Sequence, residues 1–170
     1  MRIRRRCLKT GCETMRKKRI LIIHGPNLNL LGSREPDIYG RDTLKSLNRL
    51  LERRARELNV RLGIYQSNHE GRLIDRIHRS KGRVSGILIN PGGLTHTSVV
   101  LRDALTGVNI PVVEVHLSDI ESREPFRSVS MIADLCAARF SGMGVGSYLK
   151  GLEFLAAGDP AKPADCLKSL

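Results

Sequence analysis

Tryptophan is absent from this 170-residue chain, and only three tyrosines and three phenylalanines accompany 29 lysines and arginines. Proteins that hold single-stranded nucleic acid stack its bases on aromatic side chains inside a basic groove. A net charge of +12 without such platforms argues against nucleic acid as a partner. Part of the charge belongs to the N-terminus, where Arg2, Arg4, Arg5, Arg6 and Lys9 stand against Glu13 alone. Another part falls in the segment RRARE, whose Arg53, Arg54 and Arg56 are expected to form a solvated helix face. No apolar run approaches the ~20 residues of a membrane-spanning helix, and the N-terminus lacks the apolar segment of a secretory signal. No membrane partner is expected, and the expected location is the cytoplasm. The cysteines at 7, 12, 136 and 166 have neither the paired spacing of a zinc site nor the density of a disulfide framework. They read as free thiols in a reducing compartment.

Phosphate cradles are missing too. No G-x-G-x-x-G follows the first apolar run, no Walker-type loop is present, and GMGVG at 142–146 carries no lysine. The histidines at 24, 69, 78, 96 and 116 never form H-x-x-x-H or join a carboxylate cluster at ligand spacing. Neither a metal nor an organic cofactor is expected.

What the chain does have is an alternation of apolar runs and amphipathic segments. RILIIHG reads as a buried parallel strand. TLKSLNRLLERRARELN places Leu44, Leu47, Leu50, Leu51, Ala55 and Leu58 on one helical stripe, with Asp42 or Thr43 as N-cap. VRLGIYQ is a second strand, GRLIDRIHRS a helix, GILIN a third strand, HTSVVLRDALTG a helix ending at Gly107, and PVVEVH a fourth strand. A fifth strand near Cys136 to Phe140 and a final helix, SYLKGLEFLAAG, complete the series. Five such units predict an α/β fold, a doubly wound five-stranded parallel sheet with helices on both faces. The expected organisation is a basic, disordered extension over 1–18, one domain over 19–157, and a flexible tail over 158–170.

Ligands of such sheets bind beyond the carboxyl ends of the strands, and four polar clusters fall there: 27–39, 66–70, 90–96 and 116–127. Glu114 and His116 lie two apart on one strand and so share a face, where a carboxylate can orient an imidazole for proton transfer. A histidine merely satisfied at a strand end has the same pattern. In HGPNLNLLGSREPDIYG, Arg34 precedes Tyr39 by five positions on a glycine-bounded loop. A phenol near pKa ~10 needs a neighbouring cation to serve as a base at neutral pH. Surface decoration is the other reading of that pair.

Together, HGPNLNLLGSREPDIYG, YQSNHEG, INPGGLTHTSVVLRDAL and IPVVEVHLSDIESREPFR, in this order, closely resemble the type II 3-dehydroquinate dehydratases. The likeness runs from about Arg19 to Leu155. It implies a flavodoxin-like fold and the anti dehydration of 3-dehydroquinate to 3-dehydroshikimate through an enolate. It implies no cofactor, and a pathway of aromatic biosynthesis or quinate breakdown. Carried over by position, Tyr39 would be the base, Arg34 its activator, His116 the acid, Glu114 the residue orienting it, and Asn27 the holder of a water on the enolate. Ser118 with the backbone of Leu117 and Ser118 would take the substrate carboxylate, and Asn90, His96 and Arg127 its ring hydroxyls. Asp103 would reach the site of a neighbouring subunit, in trimers that build a homododecamer. Arg34 to Tyr39 would form a lid. Two positions depart from the family pattern: Asp119 stands for asparagine, which is expected to weaken carboxylate binding, and Ser147 stands for glycine.

Overall fold

A computed structural model describes residues 17–32, 42–120, 122, 124–127 and 129–167. The strands β1 (Arg19–His24), β2 (Arg61–Gln66), β3 (Gly86–Asn90), β4 (Val112–Val115) and β5 (Ala138–Phe140) form one parallel sheet in the order β2-β1-β3-β4-β5. Register puts Ile22 of β1 beside Ile64 of β2 and Leu88 of β3. Every residue of β3 and β4, and all of β1 but Arg19, is buried. That is why these strands read as unbroken apolar runs, since a parallel sheet is covered on both faces.

Successive side chains point to opposite faces, and each face builds its own core. Leu21, Ile23, Ile87, Ile89 and Val112 pack with Leu73 and Ile77 of α2 (Glu70–His78) and Leu101 and Leu105 of α4 (Val99–Val108). Ile20, Ile22, Leu88, Val113 and Val115 pack with Leu47 and Leu51 of α1 (Leu44–Glu57) and Tyr148, Leu152 and Leu155 of α5 (Val145–Ala157). The doubly wound sheet expected from the sequence is the one observed. At Gly151 a Cβ would fall 2.5 Å from Leu88 Cδ1 and 3.0 Å from Val115 Cγ1. Only glycine lets α5 lie this close to the sheet.

Helix α1 starts as expected at Thr43, whose hydroxyl accepts from Ser46 N while Ser46 Oγ accepts from Thr43 N, a reciprocal capping box. Its buried stripe is Leu47, Leu51 and Ala55, with Leu44, Leu50 and Leu58 half-buried at the margins. Arg54 departs from the solvated face expected for RRARE. It is half-buried, and its Nε donates to Glu153 Oε1 at 2.9 Å, joining α1 to α5.

Two other boundaries differ from the sequence reading. The helix expected to run unbroken from His96 is divided into α3 (Leu94–Thr97) and α4. Ser98 takes extended backbone between them and accepts from Leu101 N at 2.8 Å, because serine binds the first free amides of a helix better than it continues one. Helix α4 then ends on Asn109, left-handed at φ 50°, rather than at Gly107. In the stretch expected to be a flexible tail, Pro163–Cys166 forms the short helix α6 with Pro163 buried, and Ala164 N donates to Asn109 Oδ1 at 3.2 Å. A proline at the first helical position is preset for helix and forfeits no internal hydrogen bond.

One close approach sets the site. Gly25 N donates to Asn90 O at 2.8 Å, and a Cβ on Gly25 would sit 2.3 Å from Pro91 O. The chains leaving β1 and β3 are therefore in backbone contact, and their polar clusters open on the same side. No described helix is long and apolar enough to cross a membrane.

Candidate active site

Beyond the carboxyl ends of β1, β3 and β4 lies a cavity of about 200 Å³ lined by Asn27, Asn90, His96, His116, Leu117, Ser118 and Arg127, with Leu28, Leu31 and Ile120 as apolar wall. Seven of the predicted site residues are thus gathered around one space, and Glu114 stands behind His116. Asp103 is not among them; it is exposed on α4. Arg34 and Tyr39 lie outside the described residues.

Each wall is locked from behind. Asn27 is left-handed at φ 68°, a conformation asparagine tolerates better than most residues, and its N–H donates to Asn68 Oδ1 at 2.9 Å. Gln66 Nε2 donates to the same oxygen, so the loop after β1 is tied to the loop after β2. His96 Nδ1 is 2.7 Å from the carbonyl oxygen of Val129, which can only accept. The proton therefore sits on Nδ1, and Nε2 is left as an acceptor for a hydroxyl in the cavity. Arg127 pairs through Nε with Glu124 Oε2 at 3.0 Å, and its guanidinium carbon lies 5.1 Å from the centre of the Phe126 ring.

At the centre, Glu114 is fully buried and accepts from His116 Nε2 at 2.8 Å. Since a carboxylate only accepts, Nε2 carries the proton and Nδ1 is the ring nitrogen not committed to Glu114. Thr95 Oγ1 donates to Glu114 Oε1, and Ser130 Oγ lies 3.0 and 2.9 Å from its two oxygens. Burial alone pushes the Glu114 pKa up, but the hydrogen bonds from His116, Thr95 and Ser130, with the charge of His116, bring it below the ordinary carboxylate value. Glu114 is an anion held on three sides. Thr95 and Ser130 were not legible as site residues: each touches Glu114 only because the chain returns to β4 from elsewhere.

Both departures from the family pattern find a place. Ser147 is buried, and its Oγ accepts from Met143 N at 3.3 Å, bracing the turn before α5. Asp119 is exposed and is not among the residues that line the cavity, although its neighbour Ser118 is.

Residues 18–156 match the model of the family described as dehydroquinase class II. The chain belongs to the class II dehydroquinase family. Removal of water from 3-dehydroquinate, the reaction of that family in the shikimate and quinate pathways, is then this chain's reaction. Among its relatives, the 3-dehydroquinate dehydratase of Trichodesmium erythraeum is 58% identical over 79% of this chain and 89% of its own length. The 3-dehydroquinate dehydratase of Halothermothrix orenii is 53% identical over 79% of this chain and 91% of its own length. The crystal structure of type II dehydroquinase from Butyrivibrio crossotus superposes with a TM-score of 0.80 at 40% identity, covering 82% of this chain and 97% of that one. The flavodoxin-like strand order observed here is the order this dehydroquinase fold requires.

A second buried histidine lies beneath the dehydroquinase site. His24 Nδ1 is 2.9 Å from the Tyr148 hydroxyl and Nε2 is 2.9 Å from Asn48 Oδ1. Burial lowers its pKa to about 4, outweighing the Asn48 hydrogen bond, which favours the charged form. An unfolded chain takes up this proton near pH ~6.5, so below that pH the unfolded state binds more protons and stability falls. The His24 contribution is complete above pH ~6.5, and about 2 kcal/mol of it is lost by pH ~4.5. Urea unfolding across this window is expected to show the loss in the native protein and not in His24→Asn. Equal pH slopes for the two would contradict it.

Proposed function

We propose that dehydration runs in an anti sense through an enolate, inside the cavity beyond β1, β3 and β4. One observation carries the reading most directly: His116 lines that cavity with its orientation fixed by a buried, ionised Glu114 at 2.8 Å. In this assignment Tyr39 takes the proton alpha to the ketone, and Arg34 favours the phenolate that does so. Electrons from the broken C–H bond become the enolate, which a water on Asn27 stabilises. Collapse of the enolate expels the hydroxyl, and His116 protonates it so that it leaves as water.

Binding follows the walls. Ser118 and the backbone of Leu117 and Ser118 take the carboxylate, and Asn90, His96 and Arg127 take ring hydroxyls. His96 offers an acceptor and Arg127 only donors, so the two read opposite sides of a hydroxyl. No step calls for a metal or organic cofactor.

We also assign the chain to a homo-oligomer, trimers assembling as a dodecamer, in which Asp103 serves a neighbouring copy. Val99 and Val100 support this. They are 51% and 54% exposed, and they share with Asp103 the helical spacing of a common face of α4. The location assigned is the cytoplasm, a reducing compartment in which the free thiol of Cys136 persists.

A lysine imine is the other route to the same product, and no lysine is among the described residues that line the cavity. Purified protein given 3-dehydroquinate is expected to generate the ultraviolet absorption of a conjugated enone and to keep its activity when borohydride is added with substrate. Inactivation by borohydride in the presence of substrate would overturn the enolate route.

A further inference from the structure

Between Arg127 and β5, three consecutive residues touch His96, Glu114 and Thr95 in turn. Val129 O accepts from His96 Nδ1 at 2.7 Å, and Ser130 Oγ lies 2.9 Å from Glu114 Oε2. Met131 N donates to Thr95 O at 2.7 Å, and Thr95 Oγ1 donates to Glu114 Oε1. At Ser130 the polarity runs one way. Ile132 N donates to Ser130 Oγ at 3.3 Å, so the hydroxyl oxygen is the acceptor there and its one proton is left for the carboxylate. Oε1 of Glu114 already accepts from Thr95 and His116, which uses its two lone pairs. Among the described residues, only Ser130 supplies a donor to Oε2.

Val129 and Ser130 belong to no helix or strand, so no ladder of their own backbone fixes them. Arg102 of α4 supplies the hold. Its Nη1 donates to Met131 O at 2.7 Å, and its guanidinium grips both carboxylate oxygens of Asp134, with Nη2 2.7 Å from Oδ2. A planar fork that binds a carboxylate at two points fixes direction as well as distance. Arg102 is not among the residues that line the cavity. We infer that Arg102 is a positioning residue for the dehydration: through Met131 it holds the strap Val129–Met131, which in turn holds both the carboxylate that orients the acid and the histidine assigned to a substrate hydroxyl. The two effects part at the strap. Ser130 leads to Glu114 and His116, and Val129 leads to His96.

This inference rests on the reading that His116 is the acid and His96 binds substrate, and single and double variants separate the two. Ser130→Ala is expected to lower kcat about thirtyfold with KM changed less than about twofold, because the acid loses its alignment while binding contacts remain. Arg102→Met is expected to lower kcat about tenfold and also to raise KM about fivefold, since His96 is loosened with it. On the Ser130→Ala background, Arg102→Met is expected to raise KM by the same factor yet to lower kcat by less than about twofold more. Its route to the acid is already cut there, whereas a general loosening of the fold would lower kcat again. The Arg102 and Asp134 side chains are 28% and 32% exposed, and so open an ion pair contributes little to stability. Arg102→Met is therefore expected to melt within about a few degrees of the native protein. Unchanged kcat and KM in Arg102→Met, or kcat losses that multiply in the double variant, would overturn the positioning role while His116→Gln stays inactive. A His116→Gln variant that keeps its turnover would instead remove the acid, and this inference with it. Should Arg102→Met fail to fold, Asp134→Leu, which leaves the guanidinium without its fork partner, decides: an unchanged kcat and KM sinks the inference.

Discussion

Glutamine in place of His116 is expected to lower turnover by about a thousandfold, within the range a general acid contributes, while KM changes little. The amide can keep a hydrogen bond to Glu114, so the loss isolates the proton that glutamine cannot deliver. His116 and Glu114 are both buried, and a carboxylate left without its partner would be costly; glutamine also protects the fold in this respect. Steady-state kinetics and a thermal melt on the same preparation are the measurements. A variant that melts like the native protein yet keeps a tenth of its turnover would take the acid role from His116.

Tyr39→Phe is expected to reduce turnover by up to about ten-thousandfold, because in the proposed assignment it deletes the base and leaves only binding and electrostatic stabilisation. The two variants should also fail differently. With His116 replaced, the phenolate can still form the enolate, and the enolate can return its proton to carbon. Substrate incubated in heavy water with His116→Gln is therefore expected to exchange the hydrogen alpha to its ketone without losing water. With Tyr39→Phe neither exchange nor elimination is expected. Exchange by the Tyr39 variant would move the base elsewhere in the site, and absence of exchange by the His116 variant would argue that deprotonation and loss of hydroxyl are one event.

Much of the fold lies open in the sequence because β1, β3 and β4 are buried on both faces and advertise it as apolar runs. Leu47, Leu51 and Ala55 do the same for α1 at helical spacing. The boundaries around Ser98 and Asn109 were harder to read. Serine is acceptable inside a helix and glycine is a common stop, and only the amide actually bound by Ser98 and the left-handed turn at Asn109 show which side chain ends the helix. The candidate site divides along the same line. Asn27, Asn90, His96, His116, Leu117, Ser118 and Arg127 belong to motifs that stay together along the chain, and the sheet delivers all of them to one cavity. What supports them does not stay together. His24 and Tyr148 are 124 positions apart, and Ser130 reaches Glu114 from a loop with no pattern of its own. Spacing along a chain carries no information about such pairs, because it is the packing of whole elements that makes them neighbours.

The contact at Gly25 divides the site into parts that can and cannot be altered. With 2.3 Å between Pro91 O and any Cβ placed there, the segments carrying Asn27 and Asn90 cannot be moved apart by a conservative change; they form a fixed jaw. Ser118 and Arg127, on the other side of the cavity, belong to neither of those segments. Efforts to fit a different ring acid into this pocket therefore belong on that second jaw, where a side chain can change size without prising the sheet open.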